Sequence, residues 1–159
     1  MPRDEVRVGI LGLGVVGGGT FEVLQRNGES ISQRVGAPVR VVRVADLDWE
    51  RERDVQVPEE MRTTDAAEVY AADDVDIVVE TIGGIEPALD FVLAAIENGK
   101  SVVTSNKEMM AKRGAEILDA ASAAGVDVEF EGAVGGTIPI IRTLKESLEA
   151  NRIEEVTGI

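Results

Sequence analysis

Val6-Arg7-Val8-Gly9-Ile10-Leu11-Gly12-Leu13-Gly14-Val15-Val16-Gly17 is the stretch whose reading decides the fold. Its first six residues, Val6 to Leu11, read as a strand. From Val15 to Gln25 the apolar residues Val16, Phe21 and Leu24 predict one face of a helix. The spacing Gly-x-Gly-x-x-Gly carries little weight alone, but between a strand and a helix it has a physical meaning. Gly12 permits the tight turn, Gly14 lets the backbone approach a pyrophosphate, and Gly17 lets the helix pack close to the strand. The exposed N–H groups and dipole of the helix start then attract the anion. Gly18 and Gly19 prolong the run, although each glycine inside a helix costs up to ~1 kcal/mol relative to alanine. A turn without a ligand has no need of them. Gly12, Leu13, Gly14, Val15, Val16 and Gly17 are therefore candidate dinucleotide-binding residues.

Outward from this turn the chain alternates strands and helices. Asn27-Gly28 closes the first helix, and Glu29 to Val35 predicts a short second one before Gly36-Ala37-Pro38. Val39 to Ala45 is a β-branched second strand that ends at Asp46. Residues 47–64 are charged and aperiodic, and read as a loop. Thr64 or Asp65 is placed to cap a short helix through Tyr70. Asp76 to Thr81 is a third strand, followed by Gly83-Gly84 and a helix from Pro87 to Glu97 with Gly99 beyond its end. Ser101 to Ser105 is a fourth strand. Asn106 caps a helix from Lys107 to Ala124, and Gly125 ends it. Val126 to Phe130 is a fifth strand, Glu131 to Ile138 a loop, and Pro139 to about Ala150 a last helix. The fold class is α/β, a doubly wound parallel sheet of the Rossmann type, occupying residues 1–150. Residues 151–159 begin a new strand pattern, read as the start of a truncated substrate and dimerisation domain.

Composition agrees with this architecture and excludes several function classes. At 159 residues, 44% hydrophobic, the chain has material for one core but not for two full domains. Aromatics are 3%, so Val, Ile, Leu and Ala must fill that core, as in parallel strands covered by helices. The formal charge of −14 argues against nucleic acid as a partner, because phosphate backbones call for clustered Lys and Arg. An anionic cofactor must instead be held locally, by backbone donors. The acidic surface fits either a high-salt cytoplasm or a solubilising shell. Cysteine and histidine are both absent, which excludes disulfides, thiol nucleophiles and imidazole proton transfer. The segment Met1-Pro2-Arg3-Asp4-Glu5 has no apolar signal core, and no apolar run is long enough to span a membrane, so a cytoplasmic protein is expected.

Asp46 is the candidate acceptor for adenosine ribose hydroxyls, an arrangement that favours NAD over NADP. It lies 29 residues after Gly17, against a usual spacing of about 20, and residues 28–38 account for the excess. Arg43, Arg51 and Arg53 offer a 2′-phosphate site instead, and a solvated strand end is the plain structural alternative for Asp46.

Three segments beyond the turn carry a more specific likeness. Asp76-Ile77-Val78-Val79-Glu80-Thr81-Ile82-Gly83-Gly84, then Val103-Thr104-Ser105-Asn106-Lys107, then Glu131-Gly132-Ala133-Val134-Gly135-Gly136-Thr137-Ile138-Pro139-Ile140-Ile141 resemble homoserine dehydrogenase, in order and along essentially the whole chain. The resemblance implies NAD or NADP as cofactor and reversible hydride transfer between L-aspartate 4-semialdehyde and L-homoserine, on the route to threonine and methionine. It implies a cofactor contact at Thr81, Ile82, Gly83, Ser105 and Lys107. Lys107 corresponds to the family's lysine beside nicotinamide and substrate, a proposed proton donor. Its place at the carboxyl end of a strand suits that role, whereas an exposed first-turn lysine opposes the helix dipole. Glu80 reads as structural rather than catalytic.

The loop from Glu131 to Ile138 resembles the family's monovalent-cation site, for Na or K, with ligands at Glu131, Val134, Gly136 and Ile138. Gly132-Ala133 departs from the more frequent Ala-Ser, and Thr137 from Gly. A glycine-rich hinge between domains is the structural alternative. The resemblance also implies a further substrate domain and a homo-oligomer in the complete protein, so the 159 residues alone are expected to bind cofactor without turnover. A semialdehyde dehydrogenase that oxidises aldehydes would need a cysteine, and a sugar-type oxidoreductase would show Glu-Lys-Pro where Asn106-Lys107-Glu108 stands. The remaining alternative is a non-catalytic, redox-sensing module that binds dinucleotide.

Overall fold

The computed structural model describes residues 5–136 and 138–157. Its centre is a six-stranded sheet in which every pairing is parallel, in the order β3-β2-β1-β4-β5-β6. The strands are β1 Val6–Leu11, β2 Val39–Ala45, β3 Arg62–Thr63, β4 Ile77–Glu80, β5 Ser101–Thr104 and β6 Val128–Glu129. The helices are α1 Val15–Arg26, α2 Gly28–Val35, α3 Ala67–Tyr70, α4 Ala88–Glu97, α5 Lys107–Ala124, α6 Glu131–Val134 and α7 Ile140–Arg142. The doubly wound parallel sheet is therefore present, with one strand more than the sequence suggests.

Local chemistry sets both ends of α5. Asn106 Oδ1 accepts the Met109 N–H at 3.1 Å, and Gly125 closes α5 at φ +70°. Asp65 Oδ1 accepts the Ala67 N–H at 2.9 Å in a turn just ahead of the short third helix, but the cap position is Ala66, so neither Thr64 nor Asp65 caps it as the sequence suggests. Packing explains the rest. On one face Val8, Ile10, Val41, Val44 and Val79 bury against Leu13, Phe21 and Val57. On the other, Leu11, Val78, Val102 and Val128 meet Val69, Leu89, Val92, Ile96, Met109 and Ile117 from α3, α4 and α5. Each such side chain contributes about 1.5–3 kcal/mol by leaving water.

Gly9, in the middle of β1, is the tightest point of that second face. A Cβ there would lie 2.5 Å from Val69 Cγ1 and 3.2 Å from Val75 Cγ1, both on stiff, β-branched, buried side chains. Gly9→Ala is therefore expected to destabilise the domain by about 1–3 kcal/mol through overpacking, read as a lower denaturant midpoint at unchanged slope. An unchanged midpoint would mean that α3 shifts freely, contrary to its packing.

Five expectations need correction. The 47–64 loop contains β3, preceded by a single tight turn at Glu59–Met61, because the exposed edge of β2 pairs with Arg62 and Thr63. Two residues carry no period, so the strand has no sequence signal. The fifth strand of the sequence reading shortens to Val128–Glu129, and the loop after it begins with one helical turn, Glu131–Val134. The last helix stops early: Ile140–Arg142 passes into a wider turn over Thr143–Ser147, where the Leu148 N–H reaches back to the Thr143 carbonyl. Neither piece buries a residue, so no apolar face holds it to a regular ladder. Residues 151–157 form no strand; Ile153 and Val156 are exposed, and among the described residues no strand pairs with them. Thr137 and the last two residues of that stretch, like Met1 to Asp4, lie outside the described residues. Among the described residues no helix is long and apolar enough to cross a membrane.

Candidate functional site

The strand order places the site. From β1 the chain winds outward through β2 to β3, then crosses back to β4 on the other side of β1. Ligands of open parallel sheets bind at that reversal, outside the carboxyl ends of the strands. The ends of β1 and β4 carry the turn Gly12 to Gly17 and the segment Thr81 to Gly84.

Three glycines of the turn do three different things. Gly12 has φ +90°, which an L side chain rarely adopts. Gly17 is buried, and a Cβ on it would run into the Gly12 carbonyl oxygen and lie 2.7 Å from Thr81 Oγ1. Gly14 differs: a Cβ there meets nothing within 4 Å. The protein's own packing therefore requires glycine at 12 and 17, and leaves position 14 open on the solvent side.

Gly14 also starts α1, without any side-chain cap and with no acidic residue in the first turn. The N–H groups of a first helical turn lack partners inside the helix. Here they open to a surface where Val15 is 90% exposed and Val16 and Ile82 are also exposed. Uncapped N–H groups, an approachable backbone and apolar flanks form the binding surface expected for a pyrophosphate with its ribose and base groups. The residues present thus fit a dinucleotide.

Two side chains hold the turn from below. Asp46 Oδ2 accepts the Leu13 N–H at 2.6 Å, and its Oδ1 accepts from Arg53 Nη2 at 2.8 Å and from the Asp48 N–H at 2.9 Å. Arg53 Nε donates to the Leu13 carbonyl at 3.0 Å, and Nη2 also donates to the Asp48 carbonyl. The Asp46 and Arg53 side chains are 17% and 11% exposed, so the pair is shielded enough to set the turn's position. Trp49 lies beside it, with the Arg53 and Arg62 guanidinium carbons 5.4 and 5.2 Å from its ring centre. Arg43 belongs elsewhere: it forms a two-pronged pair with Asp74, at 2.9 Å each, and that guanidinium holds the Asp74 carboxyl below the usual carboxylate range. Arg51 is exposed. From the other side, Thr81 Oγ1 donates to the Gly12 carbonyl at 2.8 Å.

At the end of β4, Glu80 is wholly buried. Its Oε1 accepts the Ile82 N–H at 2.7 Å and the Gly83 N–H at 3.4 Å, and its Oε2 accepts the Thr104 hydroxyl at 2.5 Å. Thr104, the side-chain partner of Glu80, and Asn106, whose N–H the Thr104 hydroxyl accepts at 3.0 Å, give no local sign of this connection in the sequence, since they lie 24 and 26 residues beyond Glu80.

Lys107 is the first residue of α5, exposed, at the carboxyl end of β5. The neighbouring Glu108 turns down the helix to Lys112 at 2.7 Å, which holds its carboxyl low, and among the described residues no ion pair engages Lys107. Ser105 is half-buried beside it. A Cβ on Gly132 would sit 3.4 Å from Ser105 Cβ, so the segment starting at Glu131 packs against this strand end.

Glu131 itself is committed to the backbone. Its two carboxylate oxygens accept the Ile141 N–H at 2.9 Å and the Arg142 N–H at 3.0 Å, and these bonds hold its carboxyl below the usual range. The Ile138 carbonyl accepts the Ile140 N–H, Gly136 has φ +61°, and Val134 is the last residue of α6. Among the described residues no three carboxylate, histidine or cysteine side chains are grouped for a metal ion.

Residues 12–131 match the family model described as "Homoserine dehydrogenase, NAD binding domain". The homoserine dehydrogenase of Neisseria gonorrhoeae is 47% identical over 154 residues, which is 97% of this chain and 35% of that protein. The Bacillus subtilis enzyme of the same name is 42% identical, over 97% of this chain and 36% of its own length. Among solved structures, a homoserine dehydrogenase from Thiobacillus denitrificans superposes with a TM-score of 0.83 at 49% identity, covering 94% of this chain and 34% of the other. The chain spans about a third of the length of the curated relatives it matches.

Proposed function

The chain belongs to the homoserine dehydrogenase family, as its NAD-binding domain, and on that premise we propose that it is the cofactor-binding part of an enzyme interconverting L-homoserine and L-aspartate 4-semialdehyde. The observation that carries the cofactor half is the contrast between Gly14, open where a ligand would lie, and Gly17, closed by the protein itself.

In this reading the first-turn N–H groups of α1 bind the pyrophosphate, Val15, Val16 and Ile82 flank it, and Thr81 to Gly83 meet the nicotinamide half. Asp46 belongs to the adenosine side, where its contacts with Leu13 and Arg53 make it a support of the turn as well as a ribose acceptor. The bound dinucleotide supplies or accepts the hydride. Lys107 acts on the substrate oxygen. In the reducing direction its ammonium polarises the aldehyde carbonyl and gives the oxygen a proton as the C–H bond forms; in the other direction the amine takes the hydroxyl proton. An ammonium not committed to an ion pair suits that exchange.

A monovalent cation, Na or K, at Glu131, Val134, Gly136 and Ile138 belongs to the same proposal. It requires Glu131 to exchange the N–H groups of Ile141 and Arg142 for the ion, and no proton transfer above depends on it. The complete protein is proposed to be a cytoplasmic homo-oligomer whose additional domain, beginning at about residue 151, orients the substrate. Without that domain the proximity contribution, worth about 7–11 kcal/mol, is missing, so the 159 residues are expected to bind dinucleotide without useful turnover.

Two measurements test the proposal. Fluorescence titration of the 159-residue chain with NADH and NADPH is expected to show saturable binding of at least one. Steady-state assays of the full-length protein with homoserine and either oxidised cofactor are expected to show turnover. Binding without any turnover by the full-length protein would favour the non-catalytic module.

A further inference from the structure

Among the described residues no cation pairs with the buried carboxylate of Glu80, and burying a charge without one is costly unless hydrogen bonds replace water. Its three partners are all donors: the Ile82 and Gly83 N–H groups and the Thr104 hydroxyl. That hydroxyl is used in both directions. It accepts the Asn106 N–H at 3.0 Å, so its single proton points at Glu80. Asn106 Nδ2 then donates to the Gly84 carbonyl at 2.5 Å. The bonds close a ring: Glu80 to the 82–83 backbone, along the chain to Gly84, across to Asn106, back through Thr104 to Glu80. Every member has a partner.

The ring ties together two pieces that the chain itself keeps apart. One is the segment Ile82 to Gly84, with both glycines at positive φ. The other is the start of α5, where Asn106 also caps the helix through Met109 and is bonded directly to Lys107 in sequence. From the same strand end, Thr81 reaches the opposite way to the glycine turn.

We propose that Glu80 is a positioning residue: acting through Thr104 and Asn106, it fixes Lys107 relative to the segment that meets the nicotinamide half of the cofactor. The proposal rests on the reading of Lys107 and the cofactor site given above. It explains why an acceptor-only group is needed. Glutamine has nearly the same shape, but one orientation of its amide sets NH2 against the Thr104 proton, and the other sets it against Ile82 and Gly83. Either deprives at least one buried donor, the Thr104 hydroxyl or the Ile82 and Gly83 N–H groups, of its acceptor.

Three variants separate positioning from plain structural support: Glu80→Gln, Thr104→Val, which keeps shape without the hydroxyl, and Thr104→Ser, which keeps the hydroxyl. In the full-length enzyme, kcat is measured per site that binds NADPH, well below the melting temperature. The expected result is a fall of about tenfold or more in Glu80→Gln and Thr104→Val, with NADPH affinity within about threefold of the parent and with Thr104→Ser restored. A structural role alone would lower the melting temperature but leave kcat per cofactor-binding site unchanged, and that outcome overturns the proposal. A second readout needs no turnover. In the 159-residue chain, the NADH-induced shift of the Lys107 amide resonance is expected in the parent and in Thr104→Ser, and lost in Glu80→Gln and Thr104→Val. If the full-length parent does not turn over homoserine, the functional reading fails, and the amide measurement still decides the coupling. Persistence of the shift in both disrupted variants refutes it.

Discussion

Gly14→Ala is expected to leave the melting temperature of the domain within a degree or two of the parent (about 0.5 kcal/mol at most) while weakening NADH and NADPH binding on the order of a hundredfold. The two halves of that result come from one geometric fact. A Cβ at position 14 touches nothing in the protein, so folding does not detect it. A pyrophosphate seated on the N–H groups of α1 does, because the methyl group stands between it and the backbone. Losing one or two hydrogen bonds to a charged group, each worth about 1.5–3 kcal/mol, amounts to roughly one to four powers of ten in affinity. Gly17→Ala is the companion experiment. Its Cβ collides with the Gly12 carbonyl oxygen and crowds Thr81 Oγ1, so the turn must open and both stability and binding fall. Fluorescence titration and thermal melts on the two variants give four numbers. Equal NADH affinity in the parent and Gly14→Ala would show that the anion does not lie on this turn.

That division of labour also resolves how a chain of formal charge −14 holds an anion. No lysine lies near the turn in sequence, and the nearest buried guanidinium, Arg53, spends its protons on Asp46 and on carbonyls of Leu13 and Asp48. Positive potential at the turn therefore comes from backbone dipoles, as the sequence implies. Asp46 shows where such reading stops. Its position at the end of the second strand is visible in the sequence, and so is an arginine seven residues later. What is not visible is that Leu13, 33 residues earlier, takes one of its oxygens while Arg53 takes the other, because that contact exists only once β1 and β2 lie side by side.

The same distinction runs through the fold. The ends of α5 were legible to the residue, since Asn106 and Gly125 act within one turn of themselves. β3 was not: Arg62 and Thr63 are strand because the edge of β2 offers them partners, and a short alternation has no period to detect. The region after Glu131 was misread for a related reason. Glu131 opens one helical turn and sends both oxygens to N–H groups ten and eleven residues ahead, in the next. In sequence it looks like an acidic residue in a glycine-rich loop, with no sign of these two long-range bonds.

The largest effect of all is expected at Lys107. In the full-length enzyme, Lys107→Ala should lower kcat by about 10²–10⁴-fold, the usual contribution of a positioned proton donor, while NADPH affinity stays close to that of the parent. The separation is expected because Lys107 follows the end of β5, across β4 from the glycine turn, and in the proposed mechanism acts on the substrate oxygen rather than on the pyrophosphate. Fold stability should not suffer. Lys107 is exposed, forms no ion pair among the described residues, and as a cation in the first turn of α5 opposes the helix dipole, so alanine there is neutral or slightly stabilising. Lys107→Arg sharpens the test. Arginine keeps the charge but does not release its proton in the working pH range; if Lys107 only polarises the carbonyl, the arginine variant retains much of the parent rate, whereas if it transfers the proton, that variant is nearly as slow as alanine. Parent-like kcat in Lys107→Ala would remove Lys107 from the chemistry altogether, and would leave the Glu80 ring aligning a helix start with no reacting group on it.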